Sequence, residues 1–195
     1  MNYKKKIIDL AKKNNGIVTG TMIKEEVIPY VYLTRMVNEG EIKRVKRGIY
    51  TTNEDIIDEY YLLYQKNKKI IFSFISSLYL HNLIDRIPYQ MEVTLPNNYN
   101  SSHISKEVII HKVKKENHPV GIIMVKTIFG NEVACYDMER TICDIVRFRD
   151  KIDIEIFRKA IMSYKIHPDR NMYNLRKYAK VFKISKKINE LIDVI

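Results

Sequence analysis

The apolar residues of the first fifty positions follow a helical period in three places and then alternate with polar ones. Helical spacing predicts helices over residues 3–14, over a short stretch that Thr21 caps, and over residues 29–39. After Gly40 the alternation predicts two strands joined by the turn 46–48. Helices followed by such a hairpin are typical of a winged helix-turn-helix, so this domain is assigned to residues 1–52.

The third predicted helix has two faces of different character. Residues three or four positions apart share one face of a helix. The inner face is predicted to hold Tyr30, Leu33, Met36 and Val37. The outer face is predicted to hold Val31, Tyr32, Thr34, Arg35 and Asn38. Because the third helix of a winged helix-turn-helix enters the major groove of DNA, the outer face is where base contacts are expected.

After residue 52 the pattern changes to short strands and then to a run of helices. The acidic segment Asn53-Glu54-Asp55 opens a predicted helix that ends near Asn67. Strands are predicted at 69–72, 91–95, 108–113, 121–128 and 132–135, and later helices at 137–149, 153–165 and 171–195 with a break near Ile184-Ser185. We therefore predict an α+β chain, in which residues 53–195 form a second domain with a small mixed sheet and a C-terminal run of helices.

The formal net charge of +11 lies mostly in two parts of the chain. Residues 1–52 carry a net +6 and residues 136–195 a net +5, while the residues between them balance. Clustered positive charge favours a polyanionic partner, because each phosphate that a protein neutralises releases condensed counterions. A basic surface that is merely solvated is the plainer interpretation of the same charge.

Nine residues of the winged helix are predicted to contact DNA. They are Thr19, Thr21, Tyr32, Thr34, Arg35, Lys43, Arg44, Lys46 and Arg47. The three on the third helix are expected near base edges or neighbouring phosphates, and the four wing cations on the backbone or in the minor groove. The two threonines stand near the start of the second helix, where a hydroxyl can either donate to a phosphate or cap the helix.

Several other classes of protein fit the sequence poorly. No apolar run approaches the ~18 residues of a membrane span, and the basic start is followed by Asp9, which is unlike a signal peptide. Two cysteines, Cys135 and Cys143, are too few for a disulfide scaffold, so a reduced cytoplasmic protein is expected.

An enzyme, a metal site and a bound cofactor are not expected either. The five histidines are dispersed, and with 6 glycines the chain has no phosphate-binding glycine loop. The best catalytic candidates would be Asp85, Arg86, Asp137 and Asp144. Asp137 is more simply a helix N-cap, and Asp144 an i, i+4 partner of Arg140.

Three segments resemble the AbiEi-type antitoxins. The first is the predicted wing, residues 40–50, with the sequence GEIKRVKRGIY. The second runs from Phe72-Ser73 through SLYLHNL at 77–83 to DRIP at 85–88. The third is YDMERTICD at 136–144, and residues 151–153 and 178–180 fit the family's helical tail. The resemblance therefore extends over nearly the whole chain.

Membership of this family would imply an antitoxin of a type IV toxin-antitoxin system, linked to abortive infection against phage. The winged helix would repress its own operon at inverted repeats in the promoter, with a monomer or weak dimer placing two copies on the DNA. The C-terminal domain would counter a nucleotidyltransferase-like toxin without forming a stable complex with it. A stand-alone winged-helix regulator with a ligand-sensing C-terminal domain stays open, and a neighbouring nucleotidyltransferase gene would favour the antitoxin.

Overall fold

The protein is described here by a computed structural model that covers residues 2–52, 58–102, 104 and 108–193. It divides into two compact units. The first consists of residues 1–67 together with residues 126–132, and the second of residues 68–125 and 133–195. The predicted boundary after residue 52 differs from this division, which groups residues 58–67 with the winged helix. As a boundary between functions it stays a prediction.

The first unit has the element order of a winged helix-turn-helix. Its elements are α1 (Tyr3–Lys13), β1 (Ile17–Thr19), α2 (Gly20–Glu25), α3 (Val31–Asn38), β2 (Lys43–Lys46), β3 (Ile49–Thr51) and α4 (Glu59–Lys66). The three strands form a sheet in the order β1-β3-β2, with both pairs antiparallel. The predicted fold class is thus confirmed, and the hairpin β2–β3 is the wing.

The cap of the second helix is not the predicted one. Thr19, rather than Thr21, has an extended backbone, and its Oγ1 accepts a hydrogen bond from the amide of Met22 at 3.3 Å. Thr21 already lies inside α2. The helix begins earlier because β1 pairs with β3 as far as Thr19 opposite Ile49, which fixes where the strand ends.

The core of the first unit collects the apolar faces of the three N-terminal helices. Ile7, Ile23, Leu33 and Met36 are buried there, the last two as the helical spacing of the third helix predicts. Tyr30 is the exception to the predicted inner face of α3, since its side chain is 53% exposed. It flanks the N-terminus of α3, and its hydroxyl donates to the carbonyl of Gly20 at 2.8 Å instead of entering the core.

Helix α4 is attached to the first unit by a buried carboxylate. Asp58 caps the helix, and its Oδ1 accepts from the amide of Tyr61 at 3.0 Å. Its Oδ2 accepts from the hydroxyl of Thr127 and from the side-chain amide of Asn131 at 2.9 Å. The amide of Asn15 donates in turn to Oδ1 of Asn131 at 3.0 Å. These bonds fix α4 in place; the acidic opening predicted at residues 53–55 lies outside the described residues.

The second unit is a mixed sheet followed by helices, as predicted. Its elements are β4 (Ile71–Phe72), α5 (Phe74–Leu80), β5 (Glu92–Pro96), β6 (Ile109–Val113), β7 (Ile122–Lys126), β8 (Glu132–Tyr136), α6 (Met138–Arg147), α7 (Ile154–Ile166), α8 (Met172–Val181) and α9 (Ser185–Asp193), with a short 3-10 turn at Arg149–Lys151. The strand order is β6-β5-β4-β8-β7, with β4 parallel to β8 and antiparallel to β5. The predicted last helix is divided into α8 and α9, because Lys183 adopts a positive φ between them.

Helix α6 is buried along most of its length and contains a buried ion pair. The Nε of Arg140 donates to Asp144 at 2.8 Å, and its Nη1 donates to the carbonyls of Asn117 and Val120 at 2.8 Å each. The guanidinium lies 4.1 Å from the ring centroid of Tyr136 and 4.3 Å from that of Phe182. Such a pair depends on its complete set of partners, since a buried charge without them is costly.

Candidate nucleic-acid interface

The outer face of α3 presents Arg35 beside an aromatic ring. Thr34 and Arg35 are exposed, and the Arg35 guanidinium lies 5.7 Å from the ring centroid of Tyr32. Tyr32 is half-buried, with its ring 4.9 Å from that of Tyr3. A cation over an aromatic face within ~6 Å is attracted by the ring quadrupole. The ring of Tyr32 therefore holds the Arg35 guanidinium through a cation–π contact, while Thr34 and Arg35 remain exposed to solvent.

The residues after α3 have the opposite charge. Lys4 donates to Glu39 and to Glu41, the second at 2.7 Å. The hydrogen bond from Lys4 is the main reason that the pKa of Glu39 lies below its usual range. Arg35 lies in the last turn of α3, and its charge also lowers the pKa of Glu39. The carboxylates of Glu39 and Glu41 therefore border the cationic part of α3 and would repel a phosphate placed beyond it.

The wing places exposed cations around one turn. Arg44 and Lys46 extend from β2, and Arg47 follows in the turn. The pairing of β2 with β3 shifts register between Arg44 and Lys46, which marks a bulge or irregularity of the strand. Within the described part of the chain, no carboxylate forms a salt bridge with Arg44, Lys46 or Arg47. Three of the four predicted cations, Arg44, Lys46 and Arg47, are thus brought together without a salt bridge to any described carboxylate.

Two hydrogen bonds hold the wing turn and the starts of α2 and α3 together. The amide of Gly20 donates to the carbonyl of Gly48 at 2.8 Å. The hydroxyl of Tyr30 donates to the carbonyl of Gly20 at 2.8 Å. A Cβ at Gly20 would come 2.5 Å from this hydroxyl, so any larger residue there would displace the Tyr30 side chain.

The two predicted threonines have different environments. Thr19 is buried and its hydroxyl caps α2. The sequence left open whether this hydroxyl donates to a phosphate or caps the helix, and the structure shows the cap. Thr21 is exposed on the first turn of α2 and lines the same surface cavity as Arg47. Of the pair, only Thr21 has a side chain that solvent reaches freely.

Sequence analysis missed Lys66, the last residue of α4. Partial burial is the main cause that lowers the pKa of Lys66, and the charge of Lys46 lowers it further. The two ammonium groups are therefore close enough to repel each other. No local pattern in the sequence indicates that Lys66 lies near the wing. The predicted boundary after residue 52 placed Lys66 in the second domain.

The acidic residues considered as catalytic candidates have structural partners. Asp137 caps α6 and accepts from the hydroxyl of Tyr178 at 2.8 Å, and burial raises its pKa. Asp144 is buried against Arg140 and Arg147. Asp85 is exposed and pairs with Lys159 at 3.1 Å. Among the described residues, no group of three His, Cys, Asp or Glu side chains is placed to hold a metal ion.

The second basic region forms no continuous cationic row. Arg176 and Lys180 are exposed on α8, and Lys187 is exposed on α9. Arg176, Lys180, Lys183 and Lys187 have the i, i+4, i+7, i+11 spacing that would align them on one unbroken helix, but the positive φ of Lys183 separates α8 from α9. In the part of the chain that the structure describes, no helix is long and apolar enough to span a membrane.

The element order, the three-stranded antiparallel sheet and the exposed outer face of α3 define the first unit as a winged helix-turn-helix. Residues 5–53 match the sequence model of a family described as "Transcriptional regulator, AbiEi antitoxin". The match confirms the resemblance to AbiEi-type antitoxins over the segment that forms the winged helix. This segment of the chain is thus similar to a family of antitoxins that regulate transcription.

A solved structure extends the likeness in fold to the rest of the chain. The crystal structure of the RV2827C protein from Mycobacterium tuberculosis aligns with a TM-score of 0.62 over 99% of this chain and 77% of that one. The identity is 10%, so this likeness concerns the fold alone. No curated protein matches the sequence.

Proposed function

We propose that this protein is the antitoxin of a type IV toxin-antitoxin system and that it represses its own operon. The observation that carries the proposal is the group of wing cations Arg44, Lys46 and Arg47, which have no acidic partner among the described residues and lie on the segment that matches the antitoxin regulators. Like charges so placed repel each other in the free protein. A DNA backbone beside them would relieve that repulsion and release counterions.

In this proposal α3 enters the major groove and the wing binds the backbone beside it. Arg35 and Thr34 contact base edges, since both are exposed on the outer face of α3. Tyr32 is a positioning residue that holds the Arg35 guanidinium. The wing cations and the hydroxyl of Thr21 contact phosphates, which fix the register but do not read sequence.

The operator is proposed to be an inverted repeat in the promoter. Each half-site binds one winged helix, so two copies of the chain occupy the repeat. Separation of the half-sites by one or more helical turns of ~34–36 Å would place both copies on the same side of the duplex. The protein itself is proposed to be a monomer or weak dimer in the cytoplasm.

The second unit is proposed to counter a nucleotidyltransferase-like toxin without a stable complex or a catalytic step of its own. Support comes from the resemblance of its two motifs to the antitoxin family. It also comes from the partners of Asp137 and Asp144, which both belong to the framework of α6. Such systems are linked to abortive infection, so a role in defence against phage is part of the proposal.

The test combines DNA binding with toxin protection, using the full-length protein. Gel-shift titrations compare the chain's own promoter with a scrambled duplex, and co-expression with the neighbouring toxin measures growth. We expect promoter-specific binding and rescue of growth. Promoter binding without rescue would favour the stand-alone regulator, and absence of specific binding would contradict autorepression.

A further inference from the structure

The first unit contains a surface cavity beside the wing turn. Its volume is about 300 Å³. Its walls include Arg47 and Gly48 from the wing, Thr21 from α2, and Gln65 and Lys66 from α4. The cavity therefore lies between the predicted DNA-binding residues and α4, a helix that the predicted boundary placed in the second domain.

The walls of this cavity are fixed by hydrogen bonds. The wing turn is joined to α2 through the amide of Gly20 and the carbonyl of Gly48. Helix α4 is held at its start by Asp58, and the hydroxyl of Tyr61 donates to the side chain of Asn14 at 3.3 Å. The backbone on both sides is thus held by the framework, and the exposed side chains of Arg47 and Lys66 extend from it.

The charge around the cavity is positive. Arg47 and Lys66 line it, and Lys46 is close enough to Lys66 to lower its pKa in addition to the effect of burial. Within the described residues, none of these three side chains has a carboxylate partner. Thr21 adds a hydroxyl that can donate to an anion. The lining thus has the donors and the charge that a phosphate group requires.

We propose that this cavity is a phosphate-binding site, with Lys66 and Arg47 as its charged ligands, and that in the operator complex it takes a backbone phosphate. The inference rests on the proposed binding of DNA by the wing. A volume of about 300 Å³ is enough for a phosphodiester group. Helix α4 then belongs to the DNA-binding surface.

A second role of Lys66 needs to be separated from this one. A cation in the last turn of a helix interacts favourably with the helix dipole, so Lys66 can stabilise α4 without any ligand. Loss of that interaction changes stability but not the salt dependence of DNA binding. The salt dependence therefore discriminates between the two roles.

The experiment compares Lys66→Gln with Lys12→Gln, which removes the same charge from an exposed position on α1 outside the cavity. Operator affinity is measured between 50 and 200 mM salt. One lost phosphate contact reduces the slope of log K against log salt by ~0.9, which makes the loss of affinity over this range ~3.5-fold smaller. We expect that change for Lys66→Gln and no change for Lys12→Gln. Thermal unfolding verifies that both variants are folded.

A further arm identifies the source of the phosphate. Inorganic phosphate, at constant ionic strength, is tested for its effect on the unfolding temperature of the wild type and of Lys66→Gln. Stabilisation that Lys66→Gln abolishes, with an unchanged salt slope, would keep the phosphate site but overturn its assignment to DNA. No effect of Lys66→Gln in either arm would overturn the proposal entirely.

The failure of this inference is distinguishable from failure of the proposed function. Arg44→Gln, at a wing residue outside the cavity lining, is titrated in parallel. A reduced slope for Arg44→Gln with an unchanged slope for Lys66→Gln would leave DNA binding intact and contradict only the cavity. A wild-type protein that does not bind its promoter would contradict the proposed function itself.

Discussion

The amide of Gly20 donates to the carbonyl of Gly48 across 2.8 Å, which joins the first residue of α2 to the wing turn. This backbone contact lies next to Arg47 and adds to the pairing of β1 with β3, which also joins the helix-turn-helix to the wing. Gly48 adopts a φ of +75°, a conformation that other L-residues rarely adopt. This glycine and the pairing of β1 with β3 therefore both position the wing turn relative to α2.

We expect Gly48→Ala to destabilise the first unit. An alanine at this φ costs about 1–2 kcal/mol, and relaxation of the turn would displace Arg47. Urea unfolding should show the loss of stability, and promoter titration a weaker complex. Gly48→Asn is the matched control, because Asn tolerates the left-handed region better; equal losses in both variants would contradict a backbone cause.

Charge reversal of the wing should separate promoter binding from protection against the toxin. The full-length variant carrying Lys46→Glu and Arg47→Glu is expected to lose promoter binding, because each new carboxylate faces the phosphate backbone. Protection against the co-expressed toxin should remain, since the second unit is unchanged. Unchanged promoter affinity would show that the wing has no role in binding DNA.

The charge-reversal variant is a better test of how the two activities are divided than a chain cut after residue 52. Such a cut would separate α4 from the unit that Asp58, Thr127 and Asn131 hold together. A truncated chain that loses function could then simply be misfolded. Loss of toxin protection by the full-length charge-reversal variant would indicate that antitoxin activity also requires DNA binding.

Arg35 is expected to read sequence, whereas Lys46 is expected to bind without regard to it. Arg35→Gln should weaken binding by about 1–3 kcal/mol at one base pair and reduce discrimination there. Lys46→Gln should weaken binding to all sequences and reduce the salt slope by ~0.9. Titrations against operators with single base-pair changes measure both effects. Equal sensitivity of the two variants to base changes would contradict this division.

The buried pair of Arg140 and Asp144 should be strongly coupled in stability. Arg140→Met leaves Asp144 buried with only Arg147 beside it, and we expect a loss of about 3–5 kcal/mol. The double variant Arg140→Met with Asp144→Leu should recover much of this loss, because no buried charge is left without its partner. Chemical unfolding of the single and double variants measures the coupling, and strictly additive losses would contradict it.

His81 should make stability depend on pH. Its Nε2 lies 2.7 Å from the carbonyl of Tyr136, and burial lowers the pKa of the imidazole despite this bond. The native state then binds fewer protons than the unfolded state between this lowered pKa and ~6.5, so stability rises with pH in that window. Stability is lost as the pH falls below ~6.5.

The variant His81→Gln isolates this contribution. Glutamine retains an N–H donor for the carbonyl of Tyr136 but does not titrate. Asp137, whose pKa is raised by burial, acts with the opposite sign above pH ~3.8 and is present in both chains. Unfolding free energies between pH 5 and 7 should therefore be less pH-dependent in His81→Gln; identical profiles would contradict the assignment.

Local periodicity was sufficient to predict most of the winged helix. Leu33 and Met36 are buried as their spacing predicts, and the wing strands follow the alternation after Gly40. The predicted position of the α2 cap was wrong because both Thr19 and Thr21 are suitable N-cap residues. The pairing of Thr19 with Ile49, thirty residues later, determines which of them ends the strand.

The contribution of Lys66 was beyond sequence reasoning for a related reason. Asp58 bonds to Thr127 and Asn131, which are 69 and 73 positions away in the chain. No periodic pattern connects such residues, and the acidic segment before α4 suggested a new domain. The nine predicted DNA contacts stay predictions, apart from the capping that Thr19 performs.

The bonds of Asp58 also have a consequence for the order in which the chain is made. The first unit includes residues 126–132, which leave the ribosome about 65 residues after Asn67. At ~5–20 residues per second, this interval is about 3–13 s. During that time Asp58 has neither Thr127 nor Asn131 as a partner. We therefore expect α4 to reach its final place only late in translation, after the helices and wing before it have already emerged.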